Sequence, residues 1–189
     1  HLRADDITFA NLEFPIAHDR PLSGYPAFNG PLAYATAAVN AGVDCFSLAN
    51  NHANDQGPSG VRSTRAALGA AVPAFRFSGT RSAPDEPFGA EILETAGWRV
   101  GFISGTQFLN GPWGEELVRV VPLADDTAVD GFLSQISALE AETDLVVVSF
   151  HGGIEYRRDP GRQIVDFYER LVSAGADIVW GHHPHVLQP

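Results

Sequence analysis

The amino-acid sequence predicts an α/β fold in which strands and helices alternate and the strands form one largely parallel central sheet. Apolar segments of strand length alternate with segments whose apolar residues recur at helical spacing, and four polar motifs each follow a predicted buried strand. The 189 residues, of which 44% are hydrophobic and 19% charged, are enough for one domain with a substantial core. No internal domain boundary interrupts them.

The first half of the chain predicts two strands, at residues 6–10 and 43–49, separated by an alanine-rich helix at 33–41. Gly42 directly follows that helix, where a left-handed glycine commonly ends one. A second helix is expected to begin near Pro58, because the first helical turn does not need the missing N–H. Two segments rich in glycine or proline are predicted as loops, at residues 18–30 and 73–87.

The second half predicts a pair of strands joined by a turn at Ala96-Gly97, followed by a fully buried strand. These three strands are placed at residues 90–93, 99–104 and 145–150. Amphipathic helices are predicted around residues 129–136 and 164–172. Gly175 is expected to end the second of them and Asp177 to open the last strand, whereas residues 105–122 show no clear period.

Polar motifs lie at the ends of four predicted strands. They are Glu13, the pair Asn51-His52, His151 with Glu155, and His183 with His185. Parallel strands bring their carboxyl ends to one edge of a sheet, and ligand sites of α/β proteins form there. We therefore expect these motifs to converge although they lie far apart in the sequence.

The C-terminal motif places three histidines within four residues. In extended backbone, the i, i+2 spacing of His183 and His185 directs both imidazoles to the same side. Pro184 is expected to keep His183 extended, so that the two rings form a fork for a metal ion. His182 is expected to face away from His183 and is not among the predicted ligands.

These donor types predict a divalent metal centre. Imidazole, carboxylate and amide oxygen suit Zn, Mn or Fe. Two such ions ~3.5–4 Å apart can clamp a phosphoryl group and generate a hydroxide nucleophile. Glu13 is the candidate bridge between them, and His52 is the candidate acid that protonates a leaving group. The remaining candidate ligands are Asn51, His151, His183 and His185.

Several of these residues also have a purely structural interpretation. Glu13 can cap a turn, Asn51 can occupy a left-handed turn position, and His52 can bond a backbone carbonyl. Asp55 and Glu155 suit an orienting role as well as direct contact. Arg157 suits an anionic substrate such as a phosphate or polycarboxylate, but an arginine at this position can also be simply solvated.

Composition narrows the classes of partner. The formal net charge of −11 argues against non-specific binding of nucleic acid or of an anionic membrane surface. The single cysteine, Cys45, allows no internal disulfide, and its apolar surroundings predict a core position. No apolar segment approaches the ~18–20 residues of a membrane span, and no signal peptide is recognisable. Because the chain contains no methionine and ends directly after its densest motif, we expect a piece of a longer protein.

Together the motifs resemble those of the CapA-type bacterial capsule synthesis family, whose members are associated with poly-γ-glutamate biosynthesis. The similarity covers nearly the whole chain and rests on four ordered segments. They are Asn-Leu-Glu-x-Pro at 11–15, Leu-Ala-Asn-Asn-His-x-x-Asp-x-Gly at 48–57, His-Gly-x-x-Glu-Tyr at 151–156 and Gly-His-His-Pro-His-Val-x-Gln-Pro at 181–189.

This resemblance implies a calcineurin-like metallophosphoesterase fold, a four-layer α/β/β/α sandwich with two central sheets. It implies that Asn51 is a ligand and His52 the acid of the superfamily's Asn-His pair. His151 matches the middle histidine, and Glu13 stands roughly where a bridging aspartate would be. The terminal His-x-His corresponds to His183 and His185.

The chain also departs from the family pattern. It does not show the opening strand that ends in Gly-Asp, the histidine of the superfamily's first Asp-x-His motif, or a strand-rich continuation beyond Pro189. His151-Gly152-Gly153 replaces the usual His-Trp-Gly. We therefore expect a single metallophosphoesterase-like domain over residues 1–189 that lacks its first strand and its C-terminal strands.

Two main functions remain open at this point. The first is a metal-dependent hydrolase of a phosphoester or a related ester or amide, acting on an anionic small molecule or polymer in cell-surface polymer metabolism. The second is a non-catalytic component of a polymer synthesis or export assembly, in contact with capsule-synthesis proteins. A sugar- or peptide-binding module is a third. By resemblance the protein would be associated with the cell envelope or lie outside the cytoplasm. His52 favours the enzyme, because a scaffold would need the ligands but not the acid.

Overall fold

Two β-sheets face each other in the computed structural model, which describes residues 2–71 and 75–189, and helices cover the outer face of each sheet. This α/β/β/α layering is the one that the family resemblance implies. The single sheet predicted from strand and helix order is wrong, because alternation along the chain does not reveal where a sheet ends and a second one begins.

The first sheet has three parallel strands in the spatial order β1-β2-β3, namely β1 (Phe9–Asn11), β2 (Cys45–Ser47) and β3 (Arg76–Ser78). Helices α1 (Leu32–Ala41) and α2 (Gly57–Ala71) pack on it, and a 3₁₀ turn at Leu2–Ala4 precedes it. Strand β3 lies in the segment predicted as the loop 73–87, of which residues 73 and 74 are outside the described part. The prediction is wrong for residues 76–78 because three residues are too few to show a strand period.

The second sheet has the spatial order β4-β5-β6-β7 and is mixed. Its strands are β4 (Glu91–Thr95), β5 (Trp98–Thr106), β6 (Leu145–His151) and β7 (Ile178–His182). Strands β5, β6 and β7 are parallel, while β4 pairs antiparallel with β5. Helices α3 (Asp126–Glu140) and α4 (Arg162–Ser173) cover its outer face.

Two predicted element boundaries are confirmed, the turn between β4 and β5 and the end of α1. The β4–β5 turn has positive φ at both Ala96 (48°) and Gly97 (83°), which is the backbone that joins tightly twisted antiparallel strands. Gly42 ends α1 with a φ of 116°, and a Cβ built there would lie 2.7 Å from the backbone nitrogen of Arg3. A side chain at position 42 would therefore meet both backbone strain and a clash.

The residues between the sheets hold the two halves of the molecule together. The rings of Phe9 on β1 and Phe102 on β5 stack with their centroids 4.5 Å apart. Cys45, Val100 and Val147 complete this inter-sheet cluster, so Cys45 is a core residue as predicted. Alternate residues of β5 and β6 point the other way, against α3 and α4, which explains why β6 carries apolar residues on both of its faces.

Residues 105–122, which showed no period in the sequence, link the two sheets. Within this segment, Val118 forms an isolated β-bridge with Thr80, and Val120 forms one with Thr106. A 3₁₀ turn spans Glu115–Leu117. Arg119 is buried here, and burial lowers the pKa of its guanidinium to about 9. Its guanidinium donates to the carbonyl oxygens of Phe88 (2.7 Å) and Ser104 (3.1 Å). Across the described residues, no helix combines the length and apolar character that crossing a bilayer requires.

Candidate metal centre

The ends of strands from both sheets supply one cluster of donor side chains, as the predicted convergence requires. Glu13 follows β1, and Asn51 and His52 follow β2 in the first sheet. His151 is the last residue of β6, and His183 directly follows β7 in the second sheet. The site therefore depends on the position of one sheet relative to the other, because each sheet supplies part of the donors.

His151 is at the centre of the cluster and is fully buried. Its Nε2 lies 2.7 Å from Oδ1 of Asn51 and 3.1 Å from Nδ1 of His183. The nearer carboxylate oxygen of Glu13, Oε1, is 3.5 Å away. Donor atoms from four different chain segments thus surround one point, as the ligands of a metal ion do.

Glu13 also belongs to a second group of donors. One carboxylate oxygen of Glu13 and one ring nitrogen each from His183 and His185 all lie within 4.8 Å of one another. The side-chain amide of Asn11 donates to Oε2 of Glu13 at 2.9 Å and fixes the carboxylate. Glu13 therefore contacts both the Asn51–His151 side and the His183–His185 side of the cluster.

The backbone of the C-terminal histidines differs from the prediction. Strand β7 ends at His182, and φ is +104° at His183 and +55° at His185, so neither residue is extended. The predicted extended fork is wrong because His182 pairs in register with His151, and the chain must turn to bring the His183 ring to His151 Nε2. Such φ values cost a non-glycine residue ~1–3 kcal/mol and are typical of functional sites.

Burial favours the neutral form of three imidazoles at the site, those of His151, His182 and His183. It lowers the pKa of His151 and His183, and it lowers the pKa of His182 to about 4, with the neighbouring imidazoles adding to the shift. Burial raises the pKa of Glu13, against the opposing effect of the His185 and His52 charges. Neutral imidazoles present the free lone pairs that metal ligation requires.

The metal-free protein is expected to lose stability as the pH falls below 6.5. The unfolded chain protonates its histidines near pH 6.5, whereas folded His182 stays neutral down to about pH 4. The unfolded state therefore binds more protons in that window, and His182 alone lowers the free energy of unfolding by ~2 kcal/mol at pH 5 relative to pH 8. The raised pKa of Glu13 has the opposite effect above pH 4.5, where protonation of this carboxyl favours the folded state as the pH falls.

Urea unfolding of the chelator-treated protein between pH 8 and pH 5 measures this dependence. The variant His182→Asn is expected to show a shallower slope, while His18→Asn, at an exposed position outside the cluster, should keep the slope of the natural sequence. An unchanged slope in His182→Asn would contradict the assignment of this pH dependence of stability to His182.

His52 lies beside the cluster and is oriented by Asp55. Nδ1 of His52 is 2.7 Å from Oδ2 of Asp55, and the backbone N–H of Phe28 donates to the same oxygen at 2.8 Å. The Phe28 ring packs edge-on against the imidazole, with centroids 4.6 Å apart. Asp55 thus fixes the orientation of the imidazole, and its contact is with Nδ1 of His52 rather than with Nε2.

Asn110 is a site residue that the sequence analysis missed. Its Oδ1 accepts from Nδ2 of Asn51 at 3.1 Å, which directs Oδ1 of Asn51 towards His151. Its own Nδ2 lies 3.1 Å from Nδ1 of His52. The Asn110-Gly111 pair signals a turn in the sequence but carries no signal for a site, and the surrounding segment has no period.

His182, which was not among the predicted ligands, is also outside the Glu13–His183–His185 group. It is nevertheless in contact with the site, because its Nδ1 lies 2.6 Å from Nδ1 of His151. Its Nε2 lies 2.7 Å from Oγ of Ser149. The sequence could not show this contact, which depends on the register between β6 and β7.

Glu155 and Arg157 lie on the exposed loop after β6 and do not join the donor cluster. The charge of Glu155 acts on the pKa of both Glu13 and His183, so it lies within electrostatic reach. Within the described residues the Arg157 side chain makes no hydrogen bond or ion pair, and its carbonyl oxygen accepts from Nε2 of Gln188 at 2.8 Å.

A cavity of about 1050 Å³ opens beside the cluster. Glu13, His183 and His185 lie along its wall together with residues 186–189. Apolar side chains of α4 and β7 line much of the remainder, among them Ile164, Tyr168, Val172 and Val179. The donor atoms thus border a space large enough for a ligand.

Residues 1–189 match the family model described as Bacterial capsule synthesis protein PGA_cap. The chain is 30% identical over 161 residues to the Capsule biosynthesis protein CapA of Bacillus anthracis, covering 80% of this chain and 37% of that protein. It is 32% identical over 209 aligned residues to a Probable polyglutamine synthesis accessory protein of Mycobacterium tuberculosis, covering 98% of this chain and 51% of that protein.

A shorter stretch of 58 residues is 45% identical to the PGA biosynthesis protein CapA of Bacillus subtilis, covering 31% of this chain and 15% of that protein. The chain thus spans about half or less of the length of these curated relatives. The family resemblance expected from the four motifs is confirmed, and the chain belongs to the bacterial capsule synthesis protein family PGA_cap.

Proposed function

We propose that this chain is a metal-dependent hydrolase of a phosphoester, or of a related ester or amide, in the metabolism of an anionic cell-surface polymer. The observation that supports this most is the convergence of five donor side chains from both sheets next to a histidine that Asp55 orients. A structural metal site would need the donors but not the oriented His52.

The donor set suits divalent Zn, Mn or Fe, because it combines three imidazoles, one carboxylate and one amide oxygen. We assign two ions to it, which Glu13 would help to hold together with the other donors. Asn51 and His151 would hold one ion, and His183 and His185 the other. When bound, such ions polarise the scissile phosphoryl or carbonyl group and lower the pKa of a water molecule.

The chain's own residues supply the remaining chemistry. His52, with its Nδ1–H held by Asp55, would carry a proton on Nε2 and deliver it to the leaving oxygen of the substrate. Asn110 keeps the Asn51 amide turned so that its oxygen faces the cluster. Glu155 would orient groups around the cluster, and the exposed Arg157 would bind an anionic group of the substrate.

The names of the relatives favour a second candidate function. One is called a capsule biosynthesis protein and another a probable polyglutamine synthesis accessory protein. On this alternative the chain is a non-catalytic component of a polymer synthesis assembly at the cell envelope, in contact with other capsule-synthesis proteins. The metal ions would then be structural or would bind carboxylates of the polymer.

Metal content and ester turnover, measured on the purified full-length protein, separate the two candidates. The hydrolase proposal predicts bound divalent metal, together with hydrolysis of p-nitrophenyl phosphate or bis(p-nitrophenyl) phosphate that a chelator abolishes and Mn or Zn restores. Bound metal without turnover of either ester would contradict the phosphoesterase and favour the assembly component.

Removing the proposed bridge should change metal stoichiometry. Glu13→Ala is expected to reduce the bound metal from two ions per chain to one or none, because Glu13 contacts both sides of the cluster. Inductively coupled plasma mass spectrometry after gel filtration measures this. Glu94→Ala, which removes an exposed carboxylate on β4, serves as the matched control and should retain both ions. Full metal content in Glu13→Ala would refute the bridging role.

A further inference from the structure

The two ring nitrogens of His151 face different partners. Nε2 faces Asn51, Glu13 and His183, and Nδ1 lies 2.6 Å from Nδ1 of His182. A neutral imidazole carries one proton, so one of the two nitrogens is a donor and the other holds a free lone pair. The partners of the ring determine which nitrogen is which.

The second ring nitrogen of His182 also has a hydrogen-bond partner. Its Nε2 lies 2.7 Å from Oγ of Ser149, a fully buried hydroxyl on the same strand as His151. His182 sits opposite His151 in the β6–β7 register. Because a hydroxyl group can donate or accept a hydrogen bond, the hydrogen bonds linking His151, His182 and Ser149 can run in either direction. Both directions leave both imidazoles neutral.

The two arrangements differ at Nε2 of His151. In the first, Nε2–H donates to Oδ1 of Asn51 and Nδ1 accepts from His182, so Nε2 has no lone pair for a metal ion. In the second, Nδ1–H of His151 donates to Nδ1 of His182, Nε2–H of His182 donates to Ser149, and the lone pair on Nε2 of His151 is free. Metal ligation by His151 at Nε2 requires the second arrangement.

We propose that His182 is a positioning residue whose Nδ1 accepts the Nδ1–H of His151 and thereby keeps Nε2 of His151 available as a metal ligand. This inference rests on the metal centre of the proposed function, but not on hydrolysis. His182 acts through His151 and does not contact the ion.

Two substitutions separate this role from simple packing. His182→Asn keeps an oxygen acceptor at about the distance of Nδ1 from the backbone, whereas His182→Leu fills similar space without any acceptor. Zinc titration of the chelator-treated full chain, followed by calorimetry, is expected to show ~10–100-fold weaker binding in His182→Leu. His182→Asn should bind close to the natural sequence, as should His18→Leu, the same change at an exposed position. Thermal unfolding of the metal-free variants verifies that each is folded.

Nitrogen-15 NMR of the natural sequence loaded with zinc tests the contact without any substitution. The expected spectrum shows His151 protonated at Nδ1, with a scalar coupling across the hydrogen bond to Nδ1 of His182. A proton on Nε2 of His151 in the zinc-loaded protein overturns the proposal, and so does unchanged zinc affinity in folded His182→Leu. If His182→Leu does not fold, the NMR result and His182→Asn decide.

The outcomes also distinguish this proposal from the hydrolase. Zinc binding that depends on His182, without turnover of any ester, supports the positioning role and contradicts the hydrolase. Ester turnover together with unchanged zinc affinity in folded His182→Leu contradicts the positioning role alone. A natural sequence that binds no zinc overturns both.

Discussion

His52→Ala is expected to lower phosphoester hydrolysis by about 10²–10⁴-fold, the usual contribution of a positioned general acid, while leaving the bound metal in place. His52 is not one of the donors around Nε2 of His151, and its Nδ1 is engaged by Asp55, so removing the ring should spare the ions. Steady-state rates and metal content, measured on the same preparation, test both halves of this expectation.

The choice of leaving group sharpens the test. p-Nitrophenolate is a weak base that leaves with little help, whereas phenolate needs a proton. The loss in His52→Ala is therefore expected to be larger with phenyl phosphate than with p-nitrophenyl phosphate. His18→Ala is the matched control at an exposed position and should match the natural sequence with both esters. Equal losses with the two esters would contradict an acid role for His52.

Phe102→Ala is expected to lower the free energy of unfolding by ~3–5 kcal/mol, because the ring is fully buried between the two sheets and stacks on Phe9. The same change should weaken metal binding, since Glu13 and Asn51 come from one sheet and His151 and His183 from the other. Urea unfolding and zinc titration of the variant measure the two effects.

Phe132→Ala provides the control for packing alone. Phe132 is also buried, but it lies on α3 against the outer face of the second sheet, and α3 supplies no donor to the cluster. A comparable loss of stability with little loss of zinc affinity is expected there. If both variants lose zinc affinity equally, the position of one sheet relative to the other does not control the site.

The parts of the fold that could be predicted from sequence are those specified by local chemistry. The β4–β5 turn was predicted from Ala96-Gly97 and the end of α1 from Gly42, because Gly97 and Gly42 each occupy a position of positive φ that glycine adopts without strain. The apolar run of β6 predicted a strand covered on both faces, and Val147 and Val148 do contact different clusters. The division into two sheets depends on long-range packing, and motif resemblance supplied it where periodicity did not.

The residues of the candidate site also divide into those that a local sequence pattern reveals and those that only long-range packing brings together. Glu13, Asn51, His151 and His183 could be found from the sequence because each lies at or shortly after the end of a strand, and parallel strands bring such positions together. Asn110 and His182 could not, because their roles come from contacts across the fold with no local pattern. The left-handed backbone at His183 was also missed, since Pro184 favours an extended predecessor and the contact with His151 overrides that preference.

Anomalous diffraction from crystals of the full-length protein grown with Mn or Zn tests the metal centre most directly. The proposal predicts two anomalous peaks, each ~2.0–2.2 Å from its ligand atoms, with Glu13 contacting both. Asn51 and His151 should ligate one ion, and His183 and His185 the other. Crystals that contain the metal but show no peak within reach of these five side chains would contradict the account.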